Sequence, residues 1–505
     1  MFLIAVFCSR LSDALPMTLS THQREGFMND KLIISLALIL GVSSVFATQP
    51  TAGTHQTPDI IAKPIPPGYH FPVSTAIINK WIAIGDTKAM RRHMWDVWSG
   101  VTADSGETYQ GKQLPIWETW YGFNEIFLFM TSNQSETQGF PPFQHRGALH
   151  AFVEPHQFTH VKTGFSLRKV LGPEQERLMS FNKFSPHAAS FIMGPQSGPG
   201  GEIYYYNSGP SLVRLNTAWP TETSAEDRSI NQFPVESLVA KPVFGIVKAT
   251  GLTPLPLWQG LAGSTNPVNP TQDTWKTCVL VDPKGEGNQL RPATESEIAS
   301  AHKSQGLSCQ TYLYGPLSTL YWFKLTSDEA ATFRKARNGG VDTGDYAVLV
   351  AIHFNTRETP FWTWHTFYWQ PGADTPDEFP GTKADQPKNL QAPWNNYAAC
   401  ANYNQTTTLG GSTMDVCFNP YLETTPGIPS GISSNCMSCH GVARMSSNPG
   451  EVDPYPADYK TPIAFFSDPR YFNSSTTHTE FSWAIAGSAF IPPTHDGMKI
   501  NKKLK

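Results

Sequence analysis

Tyr346-Ala347-Val348-Leu349-Val350-Ala351-Ile352-His353-Phe354 and Phe361-Trp362-Thr363-Trp364-His365-Thr366-Phe367-Tyr368-Trp369 are two runs of β-branched and aromatic residues, joined by residues 355–360. They read as a β-hairpin. Alternation puts Phe361, Thr363, His365, Phe367 and Trp369 on one face of the second strand, and Trp362, Trp364, Thr366 and Tyr368 on the other. Both faces carry large rings, so this strand is expected to be covered on two sides rather than to lie at an edge. His353 and His365 fall in the paired strands and are expected near one another, as satisfied polar groups of a core or pocket more readily than as ligands. Trp117, Trp120, Trp362, Trp364 and Trp369 admit two readings, a sugar-stacking or electron-relay surface and ordinary core packing.

Around the hairpin, short β-like runs at 203–206, 238–248, 278–281 and 320–325 alternate with turn-rich loops. Ser327 ahead of Asp328 and Glu329, then 330–336 and the stop Asn338-Gly339-Gly340, mark one helix. Ser74 or Thr75 is placed to cap another, carrying Ile77, Ile78 and Trp81. Asp86 caps a third, in which Met90, Met94, Val97 and Trp98 recur at helical spacing and Arg91, Arg92 and Asp96 are left for solvent or neighbours. No internal repeat is visible, and 505 residues allow two or three domains. The expected class is α+β. A large β-rich N-terminal domain with a few helices would occupy 73–393, after an extended Pro/Thr-rich lead-in at 48–72. A small α-helical domain would occupy 394–505, beyond the Pro-rich polar segment 370–393.

The chain begins like an exported protein. Met28-Asn29-Asp30-Lys31 leads into the apolar run 32–42, and Val45-Phe46-Ala47 offers a small-residue cleavage site. Residues 1–47 are therefore expected to be leader and signal peptide, starting at Met28 or Met17 unless Phe2 opens a longer leader. The apolar run is too short to span a bilayer and no other stretch reaches that length. A net charge of −4 with 15% charged residues argues against a nucleic-acid partner and gives no polybasic membrane patch. Low charge, 42 Pro, 39 Gly and 12% aromatic residues suit a rigid, loop-rich protein of the periplasm or the exterior. With Cys8 in the leader, Cys278, Cys309, Cys400 and Cys417 remain beside Cys436 and Cys439. An even number in an oxidising compartment suggests two disulfides. Proximity favours Cys278–Cys309 and Cys400–Cys417 among three pairings, with buried thiols as the alternative.

Cys436-Met437-Ser438-Cys439-His440 carries the chemistry. Two thiols three residues apart with an imidazole directly after them are the attachment pattern of c-type haem: thioethers to the vinyl groups and an axial nitrogen to iron. With seven Cys and fifteen His in the chain, a chance occurrence is on the order of 0.003. A thioredoxin-like pair would open a helix after a strand, whereas this one follows a Pro/Gly/Ser stretch at 424–434. Zinc would need a second ligand pair, and Cys400 and Cys417 are seventeen apart.

In length and order, residues 396–505 resemble a minimal class I cytochrome c domain: haem helix, loops and a final helix near 479–489, opened by Glu480-Phe481-Ser482-Trp483 with aromatics able to pack on the porphyrin edge. The whole chain is similar to a family of secreted bacterial proteins that carry one C-terminal haem motif on a large β-rich body, through Met90-Arg91-Arg92-His93-Met94-Trp95 and Thr359-Pro360-Phe361-Trp362-Thr363-Trp364. That resemblance implies the architecture and one covalent haem c, with no reaction attached. Class I domains place a distal Met before the last helix, yet residues 446–478 hold none. Met445, five residues after His440, is expected on the same helix and unable to reach the opposite haem face. The local candidates for sixth ligand are Met498 in the tail and His478 at the start of the last helix. A ligand from the large domain and an open position are the others.

In the large domain, His145, His150, His156 and His160 read either as a metal site or distal haem pocket, or as surface and hydrogen-bonded histidines; only His156 and His160 have the spacing of a helical pair. There is no Gly-rich nucleotide fingerprint, serine elbow or HExxH motif. The expectation is a periplasmic or secreted cytochrome serving electron transfer or haem-dependent oxidation, peroxidase chemistry included, with a redox partner protein or a small-molecule substrate. The alternative is a non-enzymatic carrier whose large domain binds a partner protein or polysaccharide.

Overall fold

Four long strands build the centre of the molecule: β1 (Leu238–Val247), β2 (Tyr346–Thr356), β3 (Thr363–Trp369) and β4 (Tyr397–Asn402). In this computed structural model the described residues are 60–127, 146–153, 178–303, 306–337, 340–371, 379, 381–403, 416–424, 429–446 and 472–488. The signal-peptide reading, His145, His156, His160 and Met498 lie outside them. The sheet runs β4–β3–β2–β1 and continues through Lys183–Phe184 to Tyr121–Gly122, all antiparallel; Trp322–Lys324 pairs with β2 and Met179–Ser180 with β1. β3 lies between β2 and β4 and every one of its residues is buried, as two faces of large rings require.

Register divides the two faces. Phe354 stands opposite His365, and His353 opposite Thr366. Directly opposed residues share a face and chain neighbours do not. His353 and His365 therefore point to opposite sides of the sheet and do not meet, contrary to the expectation from the hairpin.

The His365 face is covered by two helices, α1 (Thr75–Ile84) and α2 (Thr87–Val101). Gly85 ends α1 at φ 68, a left-handed conformation that glycine adopts without Cβ strain, and its N–H bonds the Ile82 carbonyl. Asp86 then caps α2, accepting from the Ala89 N–H at 2.9 Å. The spacing expected for α2 holds: Met90, Met94, Val97 and Trp98 are all buried. Trp98 stacks on Phe367 with ring centroids 4.1 Å apart, and Trp95 meets the same ring edge-on. Trp117, Trp120, Trp362, Trp364 and Trp369 are buried as well, so none forms a sugar-stacking surface.

A second sheet, in the order Arg291–Pro292, Thr311–Pro316, Thr277–Asp282, Thr253–Leu257, contains one parallel pair. α3 (Ser327–Arg337) matches the expected helix except at its cap. Thr326 and Glu329 form a reciprocal capping box, so the chain enters the helix one residue earlier than Ser327 suggests. The molecule is α+β with mostly antiparallel sheets.

The C-terminal segments lie against the other face of the central sheet. Beyond the division expected at 393/394, β4 is a strand of that sheet. α4 (Pro420–Glu423), α5 (Cys436–His440) and α6 (Trp483–Ser488) are short, and Arg444–Ser446 pairs with Thr476–His478 as β5 and β6. A helix-dominated domain is not what the described residues form here. Met437, Met445, Phe481 and Ile485 instead share an apolar cluster with Trp362, Trp364 and the helices Pro186–Met193 and Gly209–Ala218. All described residues belong to one compact unit, 56–505.

Cys278 pairs with Cys309 and Cys400 with Cys417, enclosing sequence separations of 31 and 17 residues. Each bridge is expected to contribute about 3 to 4 kcal/mol through loop closure. Non-reduced peptide mapping should recover these two links, and reduction should lower the melting temperature; recovery of all four as alkylated thiols would contradict the pairing.

Candidate functional site

α5 presents Cys436 and Cys439 one turn apart, with His440 closing the helix. Four cysteines are spent in disulfides, so this pair stays as thiols. Met437 is fully buried in the apolar cluster, Cys436 packs against that cluster, and both cysteine residues are half-buried. Burial raises both thiols, Cys439 to about 12. A thioredoxin-like nucleophile needs the opposite shift, and α5 follows the 3-10 turn Pro429–Ser433 rather than a strand. Among the described residues no three His, Cys, Asp or Glu side chains converge as a zinc site would require.

His440 is held from two sides. Its Nδ1 lies 2.8 Å from the Phe481 carbonyl oxygen, and its ring lies 4.5 Å from that of Trp364. A carbonyl only accepts, so Nδ1 must carry the proton. Burial pushes the imidazole down to about 4, which keeps it neutral and leaves Nε2 with a lone pair. A hydrogen-bonded Nδ1–H with a bare Nε2 is the arrangement that orients metal-binding histidines. The chemistry of this donor set fits a c-type haem: two thiols on one turn and an adjacent imidazole with its tautomer fixed.

The carbonyl that holds His440 is itself held. Glu480 and Phe481 both adopt left-handed backbone conformations, φ 51 and 65, as does Trp362 at φ 63. Such conformations are costly outside glycine and persist only when contacts enforce them. Here the Glu480 carboxylate accepts from Arg357 Nη2 at 2.8 Å and from Trp362 Nε1 at 2.8 Å, all three residues being buried. Arg357 also donates to the Thr359 carbonyl at 2.6 Å. Trp483 Nε1 donates to the Cys439 carbonyl at 3.1 Å, tying α6 to α5. The hairpin turn thus supports His440 through one buried ion pair. Sequence reading placed Glu480 at the start of the last helix; that helix begins only at Trp483, and Glu480 belongs to the turn. The signal lay in Arg357 and Glu358, two charges inside an apolar hairpin.

The other candidates separate. Met445 is in β5, not on the helix of His440. His478 is in β6, five residues ahead of α6, and its imidazole bonds the Gly441 carbonyl and stands edge-on to Phe481 at 4.6 Å, beside the anchor of His440. Burial pushes it down to about 3. His353 reaches Glu423 at 3.4 Å, and the opposed Lys241 feels both Glu423 and Cys439. His150 is a buried core residue: Nε2 meets Glu118 at 2.5 Å and Nδ1 meets Glu329 at 2.7 Å, with Phe323 stacked on the ring at 3.8 Å. Tyr321 donates to the same Glu118. No family model, curated protein or solved structure matches the chain.

The His150 cluster carries a pH dependence. Burial opposes the charged ring, but the bonds to Glu118 and Glu329 outweigh it and lift His150 above its ordinary 6.5. For Glu329 burial acts upward, and the bonds to His150 and Thr326 prevail, holding it below 4.5. A raised histidine stabilises the fold below its unfolded value and loses that contribution as pH climbs through the folded one. A depressed carboxylate loses its contribution as pH falls through its folded value. Their joint effect is full between about 4.5 and 6.5. His150→Gln, leaving two buried carboxylates, should cost about 3 to 5 kcal/mol. Urea unfolding at about pH 5.5 and about pH 8.5 should show a larger loss for this variant at the lower pH; an equal loss at both would contradict the charged cluster.

Proposed function

We propose that this chain is an exported c-type haem protein working in one-electron chemistry, with one haem c joined through thioethers to Cys436 and Cys439 and with His440 Nε2 as axial nitrogen. The observation that carries the reading is the Nδ1–H bond of His440 to Phe481, which leaves Nε2 unprotonated on the residue that follows Cys439 in α5. Bound there, the haem would supply single-electron transfer and, at an open sixth position, peroxide reduction. The chain's own part is orientation and exclusion of water. Phe481 fixes the imidazole tautomer, Arg357 and Glu480 hold the Phe481 turn, and Trp364 covers the ring. α5 and α6 would be the flanking helices of a cytochrome-like segment, in keeping with the resemblance to secreted bacterial mono-haem proteins.

Two disulfides favour an oxidising compartment, periplasmic or secreted. No described helix is long and apolar enough to cross a membrane. His478 stands beside the Phe481 turn that anchors His440, and Met498, a ligand from the large domain and an open position are the other candidates for the distal side.

Protein matured with the cytochrome c machinery should keep its haem through denaturing electrophoresis, and Cys436→Ala with Cys439→Ala should abolish retention. Extraction of the wild-type haem by acid-acetone would overturn the proposal. Glu480→Ala releases the Phe481 turn without touching the thioethers. It should keep covalent haem but shift the ferric spin-state distribution, read by absorption and electron paramagnetic resonance. An unchanged spectrum would remove the anchoring role.

A further inference from the structure

On the sheet face opposite the haem motif lies a buried chain of titratable groups that the haem reading leaves unused. Glu358 Oε1 is 3.1 Å from His93 Nε2, His93 Nδ1 is 2.6 Å from the Tyr403 hydroxyl, and His365 Nε2 is 3.0 Å from the same hydroxyl. All four side chains are buried. One proton order satisfies them. In it the Glu358 carboxylate accepts from His93 Nε2–H, and His93 Nδ1 accepts the Tyr403 O–H. His365 is held neutral, burial pushing it well below its ordinary value. It donates Nε2–H to the phenol oxygen, and its Nδ1 is then the bare nitrogen, which is buried with no hydrogen-bond partner. Other buried tyrosines give their protons to oxygens: Tyr397 to the Leu349 carbonyl, Tyr421 to that of Pro256, Tyr321 to Glu118. Of these four, Tyr403 alone donates to an imidazole, a base able to keep the proton.

We propose that Tyr403 is a redox-active tyrosine that returns an electron to the haem site, with His93 as its proton acceptor. The inference rests on the haem reading for the electron's destination. The co-reactant is hydrogen peroxide, which takes two electrons from the haem site and two protons from solvent and leaves as two waters; one oxidising equivalent stays at the haem site and Tyr403 fills the other. The Tyr403 O–H bond breaks, the proton passes to His93 Nδ1, the electron leaves, and a neutral phenoxyl radical remains. Glu358 stabilises the resulting imidazolium, and His365 keeps its hydrogen bond to the phenoxyl oxygen. Glu358 and His365 are positioning residues. The path to the haem is short in the chain, because His365 is peptide-bonded to Trp364, whose ring lies 4.5 Å from that of His440.

The test uses the full chain as isolated, its haem measured as the pyridine complex. Samples are oxidised by hydrogen peroxide or by a photogenerated ruthenium(III) complex and frozen, and the radical is read by electron paramagnetic resonance with ring-deuterated tyrosine as label. Both oxidants should give a tyrosyl signal that is lost in Tyr403→Phe, and whose formation slows in deuterium oxide and in His93→Gln. A signal that persists in Tyr403→Phe, or the absence of any tyrosyl signal in haem-loaded wild type, overturns the proposal and leaves the haem reading intact. A Tyr403 signal from the ruthenium oxidant alone, with haem present, overturns the link to the haem. Should the chain carry no haem, the haem reading fails, and the ruthenium arm by itself decides whether Tyr403 is the donor.

Discussion

Everything near the motif depends on the hydrogen-bonded register of β3. The strand is laddered to β2 on one edge and β4 on the other, and both faces are covered. A slip of one residue would carry each side chain to the opposite face. In the observed register Trp364 faces His440 while His365 faces Tyr403. The sheet is a partition, with an imidazole belonging to the motif on one side and a phenol between two imidazoles on the other.

The ion pair of Arg357 and Glu480 is the second fixed point. Buried charges lose hydration, and removing one partner leaves the other stranded, so such pairs act as geometric locks more than as net stabilisers. Burial in fact raises the Glu480 carboxyl despite its guanidinium partner. What the pair secures is direction: it holds two consecutive left-handed residues and aims one carbonyl at one nitrogen.

Much of this was legible in the sequence. Aromatic and β-branched alternation gave the hairpin and its two-sided burial, helical spacing gave the inward face of α2, and proximity gave both cysteine pairs. Local rules missed where the contact is long-range. The separation of His353 from His365 follows from cross-strand pairing, which spacing within one strand does not report. Thr326 replaces Ser327 as cap because Glu329 returns the bond. Glu480, preceding a run that scans as helix, is drawn out of it by Arg357, 123 residues upstream. Nothing in the neighbourhood of Tyr403 along the chain marks it, and His93 lies 310 residues away.

The anchor of His440 has a consequence for assembly. Its accepting carbonyl lies 41 residues downstream, and that carbonyl is braced by a residue of the hairpin far upstream. No partial chain ending at the motif can hold the imidazole in place. The two thiols, by contrast, are neighbours on a single turn of α5. Under the proposed function, capture of a cofactor at the two thiols would be separable in time from orientation of His440, which waits until Arg357, Glu480 and Phe481 have come together.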